Sequence, residues 1–239
     1  MGQIFGINGV KEPPYTIIYP TTTVRASQTV PIEIRSYSPI FVAEVPASDD
    51  TMNKAFRELA DYIGVFSTPK NTQKQALAMT APVLTGPTKL EMTAPVVTTS
   101  NEYMQFVLPF HFTSQEQIPT PTSSSVTIRS IPPRLVAVNR FSGSYSKQFF
   151  DDKVAELYEQ LLKEDLMKAK ETGTEKGERH ILPQGITWSY AQYNPPFTIP
   201  FLRRNEVWID LTEDILSERL QKLVQECKHS PNSSSIDGK

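Results

Sequence analysis

Side chains able to do acid, base or nucleophilic chemistry are few and scattered in this 239-residue chain. Its three histidines, His111, His180 and His229, and its single cysteine, Cys227, stand far apart, so no nucleophile shares a motif with a base. No Gly-x-Ser-x-Gly, Walker loop, Rossmann glycine pattern or His-Glu-x-x-His occurs. The adjacent acids Asp151-Asp152 and Glu213-Asp214 fall where helices are expected to begin, and there carboxylates complement the helix dipole. Met79 and Met92 are soft potential ligands, but they sit in apolar, strand-like runs and read as core. The chemistry expected is therefore binding and not catalysis, with no metal-ligand set assigned.

Bulk properties narrow what is bound. A formal charge of −2 and a pI near 6.0 give no general attraction to nucleic acid or an anionic surface. A lone cysteine cannot close an internal disulfide, which favours a reducing compartment, and the cytoplasm is the expected one. The chain contains no run of 18 apolar residues, and Met1 to Val10 lacks the basic and apolar stretches of a secretory signal. Gly2 offers a myristoylation glycine, yet Gly6 stands where that signal wants Ser or Thr.

The elements that must position any site follow from periodicity. Residues 1–23, with Pro13, Pro14 and Pro20, read as an arm. Ile32 to Tyr37 and Ile40 to Val45 alternate as strands and are expected to pair with each other across Ser38-Pro39. Met52, Phe56, Leu59, Ala60 and Ile63 recur at helical spacing and end at Gly64, a C-cap residue. Strands are expected at 76–83, 90–98 and 103–110. The same order then returns about a hundred residues later: strands at 126–131 and 135–141, a helix through Phe150, Val154, Leu157 and Leu161, and strands at 186–193 and 206–211. The reading is a pseudo-symmetric α+β domain over 24–211, its antiparallel sheet curling into a distorted β-barrel flanked by two helices. Residues 212–239 add a helix and a polar tail.

One motif occurs twice. Leu77-Ala78-Met79-Thr80-Ala81-Pro82-Val83 and Leu90-Glu91-Met92-Thr93-Ala94-Pro95-Val96 agree at six of seven positions, offset by 13. The expected arrangement is a hairpin turned by Thr85-Gly86-Pro87, with Leu, Met, Ala and Val of each copy on one face. With this motif come Ile34-Arg35-Ser36-Tyr37, Ala55-Phe56-Arg57, Tyr62-Ile63-Gly64, Phe141-Ser142-Gly143, Tyr193-Asn194-Pro195-Pro196-Phe197 and Arg203-Arg204-Asn205-Glu206-Val207-Trp208. In that order, over residues 25 to 211, they resemble the SOUL heme-binding proteins, with the doubled motif most similar to plant-type members.

The resemblance implies a fold shared with bacterial effector-binding domains and a groove beside the first helix for heme or another tetrapyrrole, held reversibly and without covalent attachment. An apolar wall and rim cations are what such a plate requires. Met52, Phe56, Leu59, Ala60 and Ile63 are the candidate wall, with Arg57 on its flank. Arg203 and Arg204 are the candidate rim, either for propionates or for a local carboxylate such as Glu206. Ser36 stands where some relatives carry an axial His, and a hydroxyl is a poor iron ligand, so the axial ligand stays unassigned. Cys227 is followed by Lys228, which does not fit a Cys-Pro heme-regulatory pattern, and no Cys-x-x-Cys-His occurs for covalent attachment. The alternative role is a protein-interaction module using the same groove or the amphipathic helix around 154–165.

Overall fold

The computed structural model describes residues 11–20, 32–65, 67–87, 102–170, 182–183, 185–194 and 197–229. The second copy of the doubled motif and His180 lie outside the described residues. Among the described residues nine strands form one antiparallel sheet: β1 (Tyr15–Tyr19), β2 (Glu33–Tyr37), β3 (Ile40–Ala47), β4 (Val83–Pro87), β5 (Glu102–Val107), β6 (Thr127–Ile131), β7 (Arg134–Phe141), β8 (Trp188–Gln192) and β9 (Asn205–Asp210). Helices α1 (Met52–Ile63), α2 (Lys147–Lys163) and α3 (Glu218–His229) complete the α+β fold. The order strand, strand, helix, strand, strand does repeat, as β2-β3-α1-β4-β5 and β6-β7-α2-β8-β9.

How the sheet curls lies in its register. Its order is β1-β2-β7-β9-β8-β4-β5-β3-β6, so β2 and β3 are not partners, contrary to the sequence-based expectation. Glu33 pairs with Val138 and Tyr37 with Arg134, while Ile40 pairs with Ile131 and Glu44 with Thr127. These pairs keep one register throughout. β2-β3 and β6-β7 are therefore two bent strands lying along each other, interrupted at Ser38-Pro39 and Pro132-Pro133, where proline cannot donate to a ladder. Because this shared ladder serves both ends of the sheet, the sheet rolls into a curled half-barrel.

Side-chain alternation then sorts the strands into two faces. On the outer face, Ala43, Val45, Met104 and Phe106 pack under α1, and Ile34, Ala137, Val207 and Ile209 pack under α2. On the inner face, Tyr37, Val42, Leu84, Val136, Val138 and Trp208 close on one another. Helix α1 ends as expected, with Gly64 at φ 83° donating its N–H to the Ala60 carbonyl at 3.0 Å. Residues 15–19 of the expected arm are edge strand β1, paired with β2, and α3 packs against it. Among the described residues no helix is long and apolar enough to cross a membrane.

The first copy of the repeated motif is not a strand along its length; β4 begins only at Val83. Pro82 has no N–H to give β5, and the Thr80 hydroxyl donates to the Val107 carbonyl, while the Ala81 N–H donates to the Lys11 carbonyl at 3.1 Å. Leu77 and Ala81 are buried, but Met79 is 40% exposed, so the expected common apolar face does not form. The expected turn Thr85-Gly86-Pro87 lies within β4. Gly86 is required there by a close approach: a Cβ would stand 2.6 Å from the Trp188 carbonyl oxygen of β8. Gly86→Ala should lower stability by about 2–3 kcal/mol in urea titration, because the obstructing atom is backbone and β4 must separate from β8.

Candidate functional site

Helix α1 carries most of the expected wall, and its environment divides that wall in two. Leu59 and Ala60 are 0% exposed and Ile63 is 3% exposed, all facing the sheet within the α1 cluster. These three are core. Met52 and Phe56 remain partly exposed at the edge of the same cluster, and Arg57 is exposed beside them. The Phe56 ring meets Phe106 edge-on at 5.4 Å between centroids, so β5 fixes its orientation.

Strand register links this edge to the far side of the sheet. Asn205 pairs with Gln192, Gln192 with Val83, and Val83 with Phe106, one row on the outer face. Three interstrand steps, about 14 Å, separate Phe106 from Asn205. Arg203 precedes that row in extended backbone, and its Nε donates to the Thr198 carbonyl at 2.8 Å. The structure thus brings Met52, Phe56, Val83, Gln192 and the Arg203 end into one shelf between α1 and the turn before β9.

Arg204 goes to the opposite face. Its Nε and Nη2 donate to Glu206 Oε1 at 3.0 and 2.8 Å, and its Nη1 donates to both oxygens of Glu12 at 2.8 and 3.0 Å. The guanidinium lies 3.8 Å over the Tyr193 ring. Of the two roles open to Arg204 from sequence, it has the local one.

Glu206 is the hub of this inner-face network and was not singled out as one by sequence. It is 0% exposed, yet it accepts from Arg35 Nη1 at 3.0 Å and Nη2 at 3.3 Å, from Tyr193 Oη at 2.9 Å and from Trp208 Nε1 at 2.8 Å, besides Arg204. Burial alone would raise its pKa, but the two guanidinium groups outweigh burial and hold the carboxyl below its usual range. Burial pushes the Tyr37 and Tyr193 phenols up, so both stay protonated. Arg35 also binds Glu33 at 2.6 Å and lies 4.5 Å over Tyr15, tying β1 and β2 to β9. The sequence signal is a carboxylate directly before the apolar run Val207-Trp208-Ile209 and two residues after Arg204.

Other expectations resolve simply. Ser36 sits on the outer side of β2, away from Arg35. His111 is exposed, its ring tilted against Phe112 at 4.2 Å between centroids, and Cys227 packs at the edge of the α2 cluster. No group of three metal-ligating side chains occurs among the described residues. The stripe on α2 packs on the protein's own sheet, Val154, Leu157 and Leu161 all being 0% exposed, while Phe149, Tyr158 and Leu162 stay partly exposed.

Fold and site define a class: an α+β half-barrel of two similar halves, with a charge network sealing its inner face and a partly open apolar shelf outside. A family profile described as SOUL heme-binding protein matches residues 10–210, and the chain belongs to this family. No curated protein matches the chain. Among solved structures it is similar to EcmrR in an EcmrR–DNA complex (7% identity, TM-score 0.48, covering 76% of this chain and 57% of that one). It is also similar to an uncharacterized conserved protein from Listeria innocua (13%, 0.46, 77% and 93%) and a hydrolase from Listeria innocua (12%, 0.44, 78% and 94%). The chain spans a little over half of the first of these.

Proposed function

We propose that this protein binds heme or a related tetrapyrrole reversibly on the outer shelf, without turnover, as a carrier, buffer or sensor in the cytoplasm. Family membership supports the ligand class. The observation that carries the location is the row Phe106–Val83–Gln192–Asn205, which joins the partly exposed Met52 and Phe56 to the Arg203 end. A flat apolar plate with carboxylates on one edge needs apolar contact beneath it and cations at its margin. Met52 and Phe56 supply the contact, and Arg57 and Arg203 supply the cations. Heme supplies a planar apolar body and two propionates; this chain's part is to hold the plate and neutralise those carboxylates.

Hemin titration tests the proposal: a Soret shift saturating at micromolar ligand is expected, and no spectral change would overturn it. Arg57→Glu, which places a negative charge beside the propionate edge, should weaken hemin about tenfold, with thermal stability unchanged because Arg57 is exposed. An unaltered affinity in that variant would remove Arg57 from the site.

A further inference from the structure

The two halves of the sheet share a short sequence repeat whose edges are treated differently. Ile34-Arg35-Ser36 in β2 recurs as Ile128-Arg129-Ser130 in β6, and each run leads to a proline bend, Ser38-Pro39 or Pro132-Pro133. The ladders put the two runs in equivalent places: Arg35 pairs with Val136 of β7, and Arg129 pairs with Val42 of β3. On its other side β2 carries β1, with Thr16 opposite Ser36 and Tyr19 opposite Ile34. Among the described residues β6 carries no strand on that side and ends the sheet. The Leu108 N–H donates to the Phe41 carbonyl at 2.8 Å, so the Phe41 backbone turns toward β5, and by alternation that of Val42 turns toward Arg129. Ile128 and Ser130 therefore direct their N–H and C=O groups away from β3 to the free edge, as Ile34 and Ser36 direct theirs to β1.

What covers the edge of β2 defines what the edge of β6 fits. Strand β1 satisfies the β2 backbone and lays the Tyr15 ring 4.5 Å from the Arg35 guanidinium, whose side chain is left 3% exposed. Its Ile18, on the other face, is buried in the α2 cluster. On β6, Arg129 meets Glu44 at 2.5 Å, yet its side chain is 56% exposed, and Thr127 and Ser130 are exposed as well. Ile128, on the outer face, is only partly buried beside the α1 cluster. A strand alternating as β1 does, with an aromatic ring on the arginine side and an aliphatic side chain on the other, would complete both faces. The five residues of β6 span about 17 Å, and Pro132-Pro133 cannot donate to further pairing. That length suits one added peptide strand and falls short of a face on which a second copy of the chain would bury about 1,000 Å².

We propose that β6 is a docking edge for an extended peptide of a partner protein, added as an antiparallel strand along Ile128 and Ser130, with an aromatic side chain over Arg129 and an aliphatic one beside Ile128. It does not depend on the tetrapyrrole reading and is tested on ligand-free, full-length protein. The probe is a fluorescently labelled synthetic peptide of residues 12–20, which carries the side chains that cover β2. Fluorescence polarisation should show saturable binding, and Ser130→Pro should weaken it at least about tenfold, because proline removes an N–H that faces the incoming strand. That N–H takes no part in the β3 ladder, so the variant should keep the wild-type circular dichroism spectrum. In the wild-type protein, added peptide should slow amide hydrogen exchange at Ile128 and Ser130 several-fold and leave Ile34 and Ser36 unchanged. Absence of binding, or equal binding by Ser130→Pro, overturns the proposal. A change in exchange confined to Ile34 and Ser36 overturns it too, since the peptide would then be displacing β1. So does light scattering showing a wild-type dimer that Ser130→Pro dissolves, which would assign the edge to a second copy of the chain.

Discussion

Glu206→Gln should destabilise the protein by about 3–5 kcal/mol, enough to remove a large part of the stability of a domain of this kind. The substitution keeps the shape of the side chain and removes its charge, leaving Arg35, which has only 3% of its side chain exposed, without its central counterion. Glu33 and Glu12 still neutralise the outer edges of the cluster, which limits the loss. The same network sets an acid dependence. The folded-state pKa of Glu206 lies below its unfolded value, so its contribution is fully present above the unfolded carboxylate range, near pH 4.3. That contribution disappears as pH falls through the lower folded value. Urea midpoints measured from pH 7 down to pH 3 should therefore drop more steeply for the native protein than for Glu206→Gln, and the two curves should converge at the acid end. Parallel curves would mean that Glu206 is not held ionised by its arginines.

The local elements were legible in the sequence because their signals are local. The stripe of α1 and its Gly64 cap, the α2 stripe and most strand alternations follow from neighbours within a few residues. Pairing was not legible in the same way. Ser38-Pro39 looks like a hairpin turn, but the constant register from Glu33–Val138 to Glu44–Thr127 shows one bent ladder whose partner strand is about ninety residues away. Prolines at corresponding bends in both strands were the available clue. Nor does a helical stripe reveal which part of it stays open: Leu59 and Phe56 look alike in sequence, and only the position of β5 separates them. Arg203 and Arg204 show the sharpest failure of proximity as a guide. Adjacent residues on an extended chain point to opposite faces, so the pair divides between the outer shelf and the inner network.

That division of α1 yields the second large effect. Phe56→Ser should weaken hemin about 30-fold, equivalent to about 2 kcal/mol, because it removes the aromatic contact that β5 orients toward the shelf. Its stability cost should stay near 1–2 kcal/mol, since Phe56 is only partly buried and loses one edge-on contact with Phe106. Ile63→Ala, two turns further along the same helix where the stripe is buried, should behave in the opposite sense. It opens a cavity in a core position that is 3% exposed and should cost about 2–4 kcal/mol, while the folded fraction binds hemin with native affinity. Measuring a urea midpoint and a hemin titration on both variants separates the two roles. If Ile63→Ala weakened hemin as much as Phe56→Ser at equal folded fraction, the ligand would have to reach the sheet side of α1, and the outer shelf would be the wrong site. If only Phe56→Ser does so, the exposed edge of the helix is the binding edge, and the rest of its stripe serves the core that holds that edge in place.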